Sequence, residues 1–317
     1  MGMLVEGEWR TENSFANEEG RFVRSETSFR DRVTADGSSG FPAEAGRYHL
    51  YVSWACPWAH RAVIMRKLKG LDDAISLSSV APFMGEDGWT FSDDFTDPLY
   101  DSTHLRDIYT KADPNYTGRV TTPVLWDKGR ETVVNNESRE VIRMLDTEFG
   151  EYAATDAKFL PDDLRDEVDL TIEAIYNPIN NGVYRSGFAS RQDTYEEAVT
   201  EVFEALDHWE NVLSEQRYLC GNVVTEADWC MFTTLVRFDP VYHYHFKCNL
   251  RRISDYPNLW GYLKDLYQTP GVAETVDFDH IKRHYYTSHE SVNPTRVIPK
   301  GPILNLGEPH DRDWFSG

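Results

Sequence analysis

Residues 53–61 read Ser53-Trp54-Ala55-Cys56-Pro57-Trp58-Ala59-His60-Arg61. Ahead of them, Arg47–Val52 (RYHLYV) alternates and is aromatic and β-branched, the pattern of a strand. Behind them, Pro57–Lys69 carries apolar Ala62, Val63, Met65 and Leu68 beside basic Arg61, Arg66 and Lys67, which predicts a helix. Proline suits its first turn, where a missing N–H costs nothing. The order strand, cysteine, proline, helix puts the Cys56 thiol at a helix N-terminus, facing unpaired N–H groups and the positive end of the dipole. Both favour the thiolate, which is the nucleophilic form. His60 and Arg61 are expected to add positive potential. Ala59 fills the fourth position of the C-x-x-C frame, so no local resolving thiol exists and a dithiol cycle is excluded. A monothiol cycle drawing on a small external thiol remains.

Working outward, Ile75–Val80 is expected to be a second strand, and Pro123–Trp126 and Thr132–Val134 two short ones joined by a charged turn. Glu137–Phe149 reads as a helix with Val141, Ile142 and Leu145 on one face. Pro82–Gly118 is long, acidic and aromatic and reads as a functional loop. After Gly150 the pattern turns helical: Leu164–Asn177, Tyr195–Gln216, Thr225–Arg237 and Leu259–Tyr267. Asp193 with Glu196, and Thr225 with Asp228, look like capping boxes. The tail from Asp279 shows no regular pattern. The division predicted is an irregular leader over 1–43, an α/β domain over 44–150 and an all-helical domain with an extended tail over 151–317.

Composition bounds the function. The chain has 317 residues, 40% hydrophobic and 13% aromatic, enough to fold around a core. Asp and Glu number 53 against 32 Lys and Arg, so 32 − 53 gives −21. General nucleic-acid binding is excluded, since phosphate contacts need a positive face. The 32 basic residues divide into 23 Arg and 9 Lys. A strongly acidic, lysine-poor surface reads as that of a halophile, solvated where salt screens repulsion. No apolar run approaches the ~18 residues of a membrane span, and Met1–Arg10 has no signal-peptide core, so a cytoplasmic protein is expected. Four irregularly spaced cysteines make no disulfide framework. Cys220, Cys230 and Cys248 sit in or beside apolar segments and read as packing residues. His243, His245 and Cys248 fit no zinc spacing, and no metal is expected.

Two further elements bear on chemistry. In Arg119-Val120-Thr121-Thr122-Pro123 a proline precedes a strand, in keeping with a cis turn that offers the Thr122 backbone to a bound peptide. Asn136-Glu137-Ser138 opens a helix whose N-terminus offers donors to a carboxylate; Ser138 adds a hydroxyl and Glu137 can accept from an ammonium. That suits the head group of an amino acid, such as a γ-glutamyl end.

Together these pieces resemble the glutathione transferase superfamily. The motifs SWACPWAHR, DGWTF, GRVTTPVLWD, NNESREVIRML, INNGVYRSGFA, HFKCNLRRI and IKRHYYTSH with NPTRVIPKGP, in that order from about Arg47 to Pro302, look like the Xi class, the glutathionyl-hydroquinone reductases. The resemblance implies a thioredoxin-like N-terminal domain, an all-α C-terminal domain and a homodimer. It implies Cys56 as nucleophile, with Trp89, Arg119, Val120, Thr122, Glu137 and Ser138 holding the thiol peptide. Tyr184, and Tyr285 or Tyr286 with Tyr286 preferred, would face the quinone conjugate. Glutathione or γ-glutamylcysteine would be a co-substrate, with no tightly bound cofactor. The family usually shows Val before the proline; Thr122 still supplies the backbone. If the thiol were γ-glutamylcysteine, which lacks the glycine, Arg119 would lose part of its role, while Glu137 and Ser138 would keep theirs. The rival readings are an Omega-like thioltransferase or dehydroascorbate reductase, and a non-enzymatic binding protein of the same fold.

Overall fold

A computed structural model describes residues 2–11 and 16–316; residues 1, 12–15 and 317, which include part of the leader, lie outside the description. The chain forms two compact units. The first comprises Arg24–Ala157, Thr275–Ser288 and the N-terminal hairpin, and the second Lys158–Glu274 with the short segment ending at Val23 and the chain from His289 onward.

The first unit is built on a four-stranded sheet of β3 (Tyr48–Val52), β4 (Ile75–Ser79), β5 (Val124–Asp127) and β6 (Thr132–Asn135), in the order β4-β3-β5-β6. β3 and β4 run parallel across α1 (Pro57–Leu68); β5 pairs antiparallel with β3 and with β6. This is the thioredoxin-like arrangement that the resemblance implies. One sheet face sends Tyr51, Val124, Trp126 and Val133 into a core with Trp89, Leu105, Ile108 and Tyr109. Successive strand residues point to opposite faces. Tyr48 accordingly turns the other way and meets Phe149 edge-on, beyond α3 (Ser138–Thr147), which packs on α1.

Three expectations for this unit are corrected. Pro82–Gly118 is not a plain loop: it holds α2 (Leu105–Ala112). Leu105, Ile108 and Tyr109 recur at helical spacing and are buried, and His104 with Asp107 forms a capping box at its start. The leader is not irregular throughout. β1 (Met3–Val5) and β2 (Glu8–Arg10) form a hairpin, turned by Glu6 at φ +50° and Gly7 at φ +78°. At Gly7 a Cβ would lie 2.0 Å from the Pro114 carbonyl, so only glycine fits. The tail from Asp279 contains α9 (Phe278–Ser288), and this helix belongs to the first unit, not to a continuous domain over 151–317. Its His284 Nδ1 lies 2.9 Å from the Pro82 carbonyl, Ser288 Oγ accepts from Met84 N at 2.9 Å, and His280 meets Phe95 edge-on.

The second unit holds α4 (Arg165–Ile175), α5 (Gly182–Gly187), α6 (Gln192–Val212), α7 (Glu226–Arg237) and α8 (Pro257–Tyr267). Of the two expected capping boxes, Thr225 with Asp228 is present. Asp193 is not a cap: Arg191 precedes α6, and the two side chains pair. Asp228 is fully buried and accepts from Leu219 N, Thr225 N and Tyr262 Oη at 2.7–2.9 Å. Burial pushes its carboxyl up, and those donors oppose the rise. No helix among the described residues is long and apolar enough to cross a membrane.

The leader is tied to α3. Arg30 Nε donates to Glu140 Oε2 at 2.8 Å, and Asn135 Nδ2 donates to the same oxygen at 2.8 Å. The Arg30 hydrogen bond, with that from Asn135, outweighs burial and holds the Glu140 carboxyl below its ordinary 4.5. A depressed carboxyl contributes stability that is present above pH 4.5 and is lost as pH falls through the lowered value. The protein should therefore be more stable than its Glu140→Gln variant at neutral pH. In urea titrations at a series of pH values that gap should close below pH 4.5. A gap independent of pH contradicts the assignment.

Candidate active site

Cys56 is the residue that caps α1: its backbone is extended (φ −75°, ψ 118°), and Pro57 takes the first helical position. The Cys56 carbonyl accepts from His60 N at 2.9 Å, so the helical ladder begins at the thiol residue. The side chain is half-buried and makes no bond to the helix's own N–H groups. Its Sγ lies 3.5 Å from the Thr122 carbonyl, to which the thiol donates. The Thr122–Pro123 bond is cis, as the sequence reading expected. Two of the predicted positions, far apart in the chain, thus meet at the sulfur.

The neighbouring segment places Glu137 and Ser138 at the head of α3. Glu137 accepts from Arg139 N at 3.2 Å, so it caps the helix. Ser138 Oγ lies 3.5 Å from Glu137 Oε1 and accepts from Arg61 at 3.4 Å. Arg61 is buried, and its guanidinium also lies 4.4 Å from the Trp58 ring centre. His60 points elsewhere: it is buried with Nε2 2.8 Å from Thr275 Oγ1. Of the two residues expected to add positive potential, the one placed among the site segments is Arg61.

Trp89 and Val120 belong to the core around Tyr51 and Tyr109. Trp89 is stacked on His284 of α9, ring centres 4.8 Å apart. Arg119 is half-buried and has no acidic partner among the described residues; burial, and then the charge of Arg24, hold its guanidinium below the ordinary value. Tyr285 and Tyr286 are both buried on α9 in the first unit, so burial does not choose between them. Tyr184 lies in the second unit, on α5, half-buried in an aromatic cluster with Phe22, Phe188, Tyr242 and Phe246. The remaining thiols are buried; burial raises Cys220 and pushes Cys248 up to about 12. His245 pairs with His289 at 3.2 Å. Among the described residues no group of three His, Cys, Asp or Glu side chains is gathered to hold a metal.

Residues 55–148 match the model of the glutathione S-transferase N-terminal domain, and residues 192–265 that of the C-terminal domain. The glutathionyl-hydroquinone reductase YqjG of Escherichia coli is 53% identical over the whole of both chains. The chain belongs to the Xi-class glutathione transferases, the family of the glutathionyl-hydroquinone reductases. The glutathionyl-hydroquinone reductase PcpF of Sphingobium chlorophenolicum is 49% identical, covering 96% of this chain and 98% of its own. Among solved structures, a Xi-class transferase from Natrialba magadii is 54% identical with a TM-score of 0.93, covering 99% of this chain and 97% of its own. A glutathione-bound structure of YqjG has a TM-score of 0.88 at 55% identity, covering 90% of this chain and 96% of that one.

One residue that links the site segments escaped the sequence reading. Tyr109, on α2, donates to the Thr121 carbonyl at 2.8 Å and accepts from Thr121 N at 3.2 Å and from Asn136 Nδ2 at 3.1 Å. It ties the turn before Pro123 to the residue before Glu137. Burial pushes its phenol up to about 12, so it stays protonated and keeps donating. The signal was available in the Leu105-x-x-Ile108-Tyr109 spacing, which marks a helix facing the core. Tyr109→Phe leaves Thr121 and Asn136 with buried groups unmet, a cost of about 1–3 kcal/mol. Urea unfolding should show that loss, together with a raised KM for the thiol peptide. Unchanged stability and KM would mean that the strut is idle.

Proposed function

We propose that this chain reduces S-glutathionyl hydroquinones to hydroquinones with a glutathione-type thiol, through a mixed disulfide on Cys56. The observation carrying this reading is the Cys56 sulfur at the head of α1, 3.5 Å from the Thr122 carbonyl, in a chain alike throughout its length to enzymes of that name. In the reaction the Cys56 thiolate attacks the sulfur of the conjugate. The bond from that sulfur to the ring carbon breaks, its electron pair passes to the carbon, and a proton is added there. Hydroquinone leaves and Cys56 is left disulfide-bonded to the peptide. A second thiol peptide then attacks this disulfide, releasing the peptide dimer and the Cys56 thiolate. The conjugate's thioether sulfur and one peptide thiol are oxidised together to a disulfide, and the ring carbon is reduced by the same two electrons, so the electrons balance.

In this reading the helix end stabilises negative charge on sulfur before attack. Thr122 pairs by its backbone with the cysteinyl part of the peptide. Ser138 and the α3 N-terminus take the γ-glutamyl carboxylate, and Glu137 its ammonium. Trp89, Val120 and Arg119 complete the peptide's surroundings. Tyr184 and Tyr285 or Tyr286 serve the aromatic ring, a phenol there hydrogen-bonding a hydroquinone oxygen or supplying the proton. The thiol is glutathione or γ-glutamylcysteine. The working form is a cytoplasmic homodimer, on an acidic surface suited to high salt.

The test is intact-protein mass after incubation with glutathionyl-menadione, at low and molar KCl, with each thiol as donor. Released quinol and one peptide group on Cys56 are expected. Cys56→Ala should lose more than about 10³-fold in turnover, as removal of a nucleophile does. Substantial residual turnover in that variant rejects the mechanism. Faster turnover on a simple mixed disulfide than on the conjugate would favour a thioltransferase.

A further inference from the structure

Thr122 meets the Cys56 thiol through its carbonyl, and the same residue carries a hydroxyl that its backbone role does not use. The residue is only 5% exposed. Its Oγ1 is closed off from solvent and has no hydrogen-bond partner among the described residues. A buried hydroxyl without a partner is costly, and valine would fill nearly the same space without that cost. A threonine at this position points to a partner that arises only during the working cycle.

The sulfur has the matching need. The Cys56 thiol donates to the Thr122 carbonyl at 3.5 Å, and among the described residues this is its one hydrogen bond. The N–H groups of α1 make none to it. When the proton leaves, the sulfur becomes an acceptor facing a carbonyl oxygen, which is also an acceptor. A thiolate is held by donors to its charged form. The hydroxyl of that same residue is a donor with nothing to donate to. One χ1 rotation between staggered positions decides where it points. The backbone around it is fixed. Tyr109 bonds both the N–H and the carbonyl of Thr121, and β5 pairs with β3 from Val124 onward. The hydroxyl can therefore turn while the carbonyl stays in place.

We propose that the Thr122 hydroxyl is a catalytic donor, unpaired while Cys56 is a thiol and hydrogen-bonded to the sulfur whenever that sulfur is a thiolate. The cysteine proton passes to solvent, and the hydroxyl keeps its own, so no covalent bond of the threonine changes. The donor acts twice in each cycle: before the sulfur attacks the conjugate, and when the second peptide thiol expels it from the mixed disulfide. The inference rests on the reading of Cys56 as the nucleophile.

The test is alkylation of the peptide-free protein by iodoacetamide, followed by intact mass over a series of pH values, with Cys56→Ala as the blank for the buried thiols. Thr122→Val should react about 3- to 10-fold more slowly at neutral pH. That is the worth of a hydrogen bond to a charged group, less the gain in nucleophilicity of a more basic thiolate. The gap should close as pH rises, and Thr122→Ser, which keeps the hydroxyl, should follow the native profile. Equal rates for Thr122→Val and the native protein overturn the proposal. So does a loss that is the same at every pH, which would mean altered access, and so does an equal loss in Thr122→Ser, which would mean that the methyl group matters. A second measurement asks whether the hydroxyl is free to turn. In the Cys56→Ala background, Thr122→Val should hold or raise the urea midpoint. A lowered midpoint would mean that the hydroxyl is committed elsewhere, such as to the buried and equally unpartnered Asn136 Oδ1, and would also overturn the proposal. Alkylation needs neither peptide nor quinone. Quinol release with an unshifted alkylation profile rejects the hydroxyl's role alone, and a shifted profile without quinol release rejects the reductase alone.

Discussion

The proposed chemistry of the first unit depends on a contact between one sulfur and one carbonyl. Cys56 can stand 3.5 Å from the Thr122 oxygen only if α1 starts at that residue and the chain before Pro123 comes up beside it. The first condition is met by β3, which delivers the chain to the top of the sheet, and by Pro57, which starts the helix without needing a donor. The second is met by β5, which lies against β3 and presents Thr122 at its entry. Sheet order and helix start are therefore one arrangement seen from two ends. Moving β5 by one residue would turn every side chain to the opposite face and carry the carbonyl away from the thiol.

Around this contact the protein spends buried polar groups on position. Tyr109 joins the segment before Pro123 to the α3 head, and His284 backs Trp89 while its ring nitrogen meets the Pro82 carbonyl. Neither residue is part of the helix start or the turn that it braces. Both sit on helices that pack onto the same unit from elsewhere in the chain. A site assembled from the ends of strands and helices is only as fixed as the elements pinning those ends. Here α2 and α9 do the pinning.

These two helices are also where the sequence was hardest to read. The β-α-β and β-β-α order was legible because strand alternation, Pro57 and the Val141, Ile142, Leu145 face are strong local signals. The positions of Cys56, Thr122, Glu137 and Ser138 were legible because each opens or precedes such an element. α2 is only eight residues long and lies in a stretch dominated by Asp, Gly and aromatic residues, so its Leu105, Ile108, Tyr109 spacing was outweighed. α9 was hidden by its composition: His280, His284, Tyr285 and Tyr286 form its buried face, and few aliphatic residues mark it. The leader failed for a different reason. Arg30 on Glu140, Thr27 on Glu137 and Arg24 on Trp58 are contacts over long separations, and nothing in a local window announces them.

The excess of arginine over lysine acquires a structural meaning beside the environmental one. Arg47 on Asp127, Arg21 on Glu197 and Arg217 on Asp265 each use two guanidinium nitrogens on two carboxylate oxygens. An ammonium cannot reproduce that fork. In a chain of net charge −21 these three arginines are thus committed to particular partners. Salt acts on exposed and partly buried charges differently. At 1 M the screening length is about 3 Å, so repulsion among exposed carboxylates is largely removed. Partly buried guanidiniums are screened much less. Concentrated salt can therefore quiet the acidic surface while leaving partly buried pairs such as Arg47 on Asp127 in place, and the two requirements need not be traded against each other.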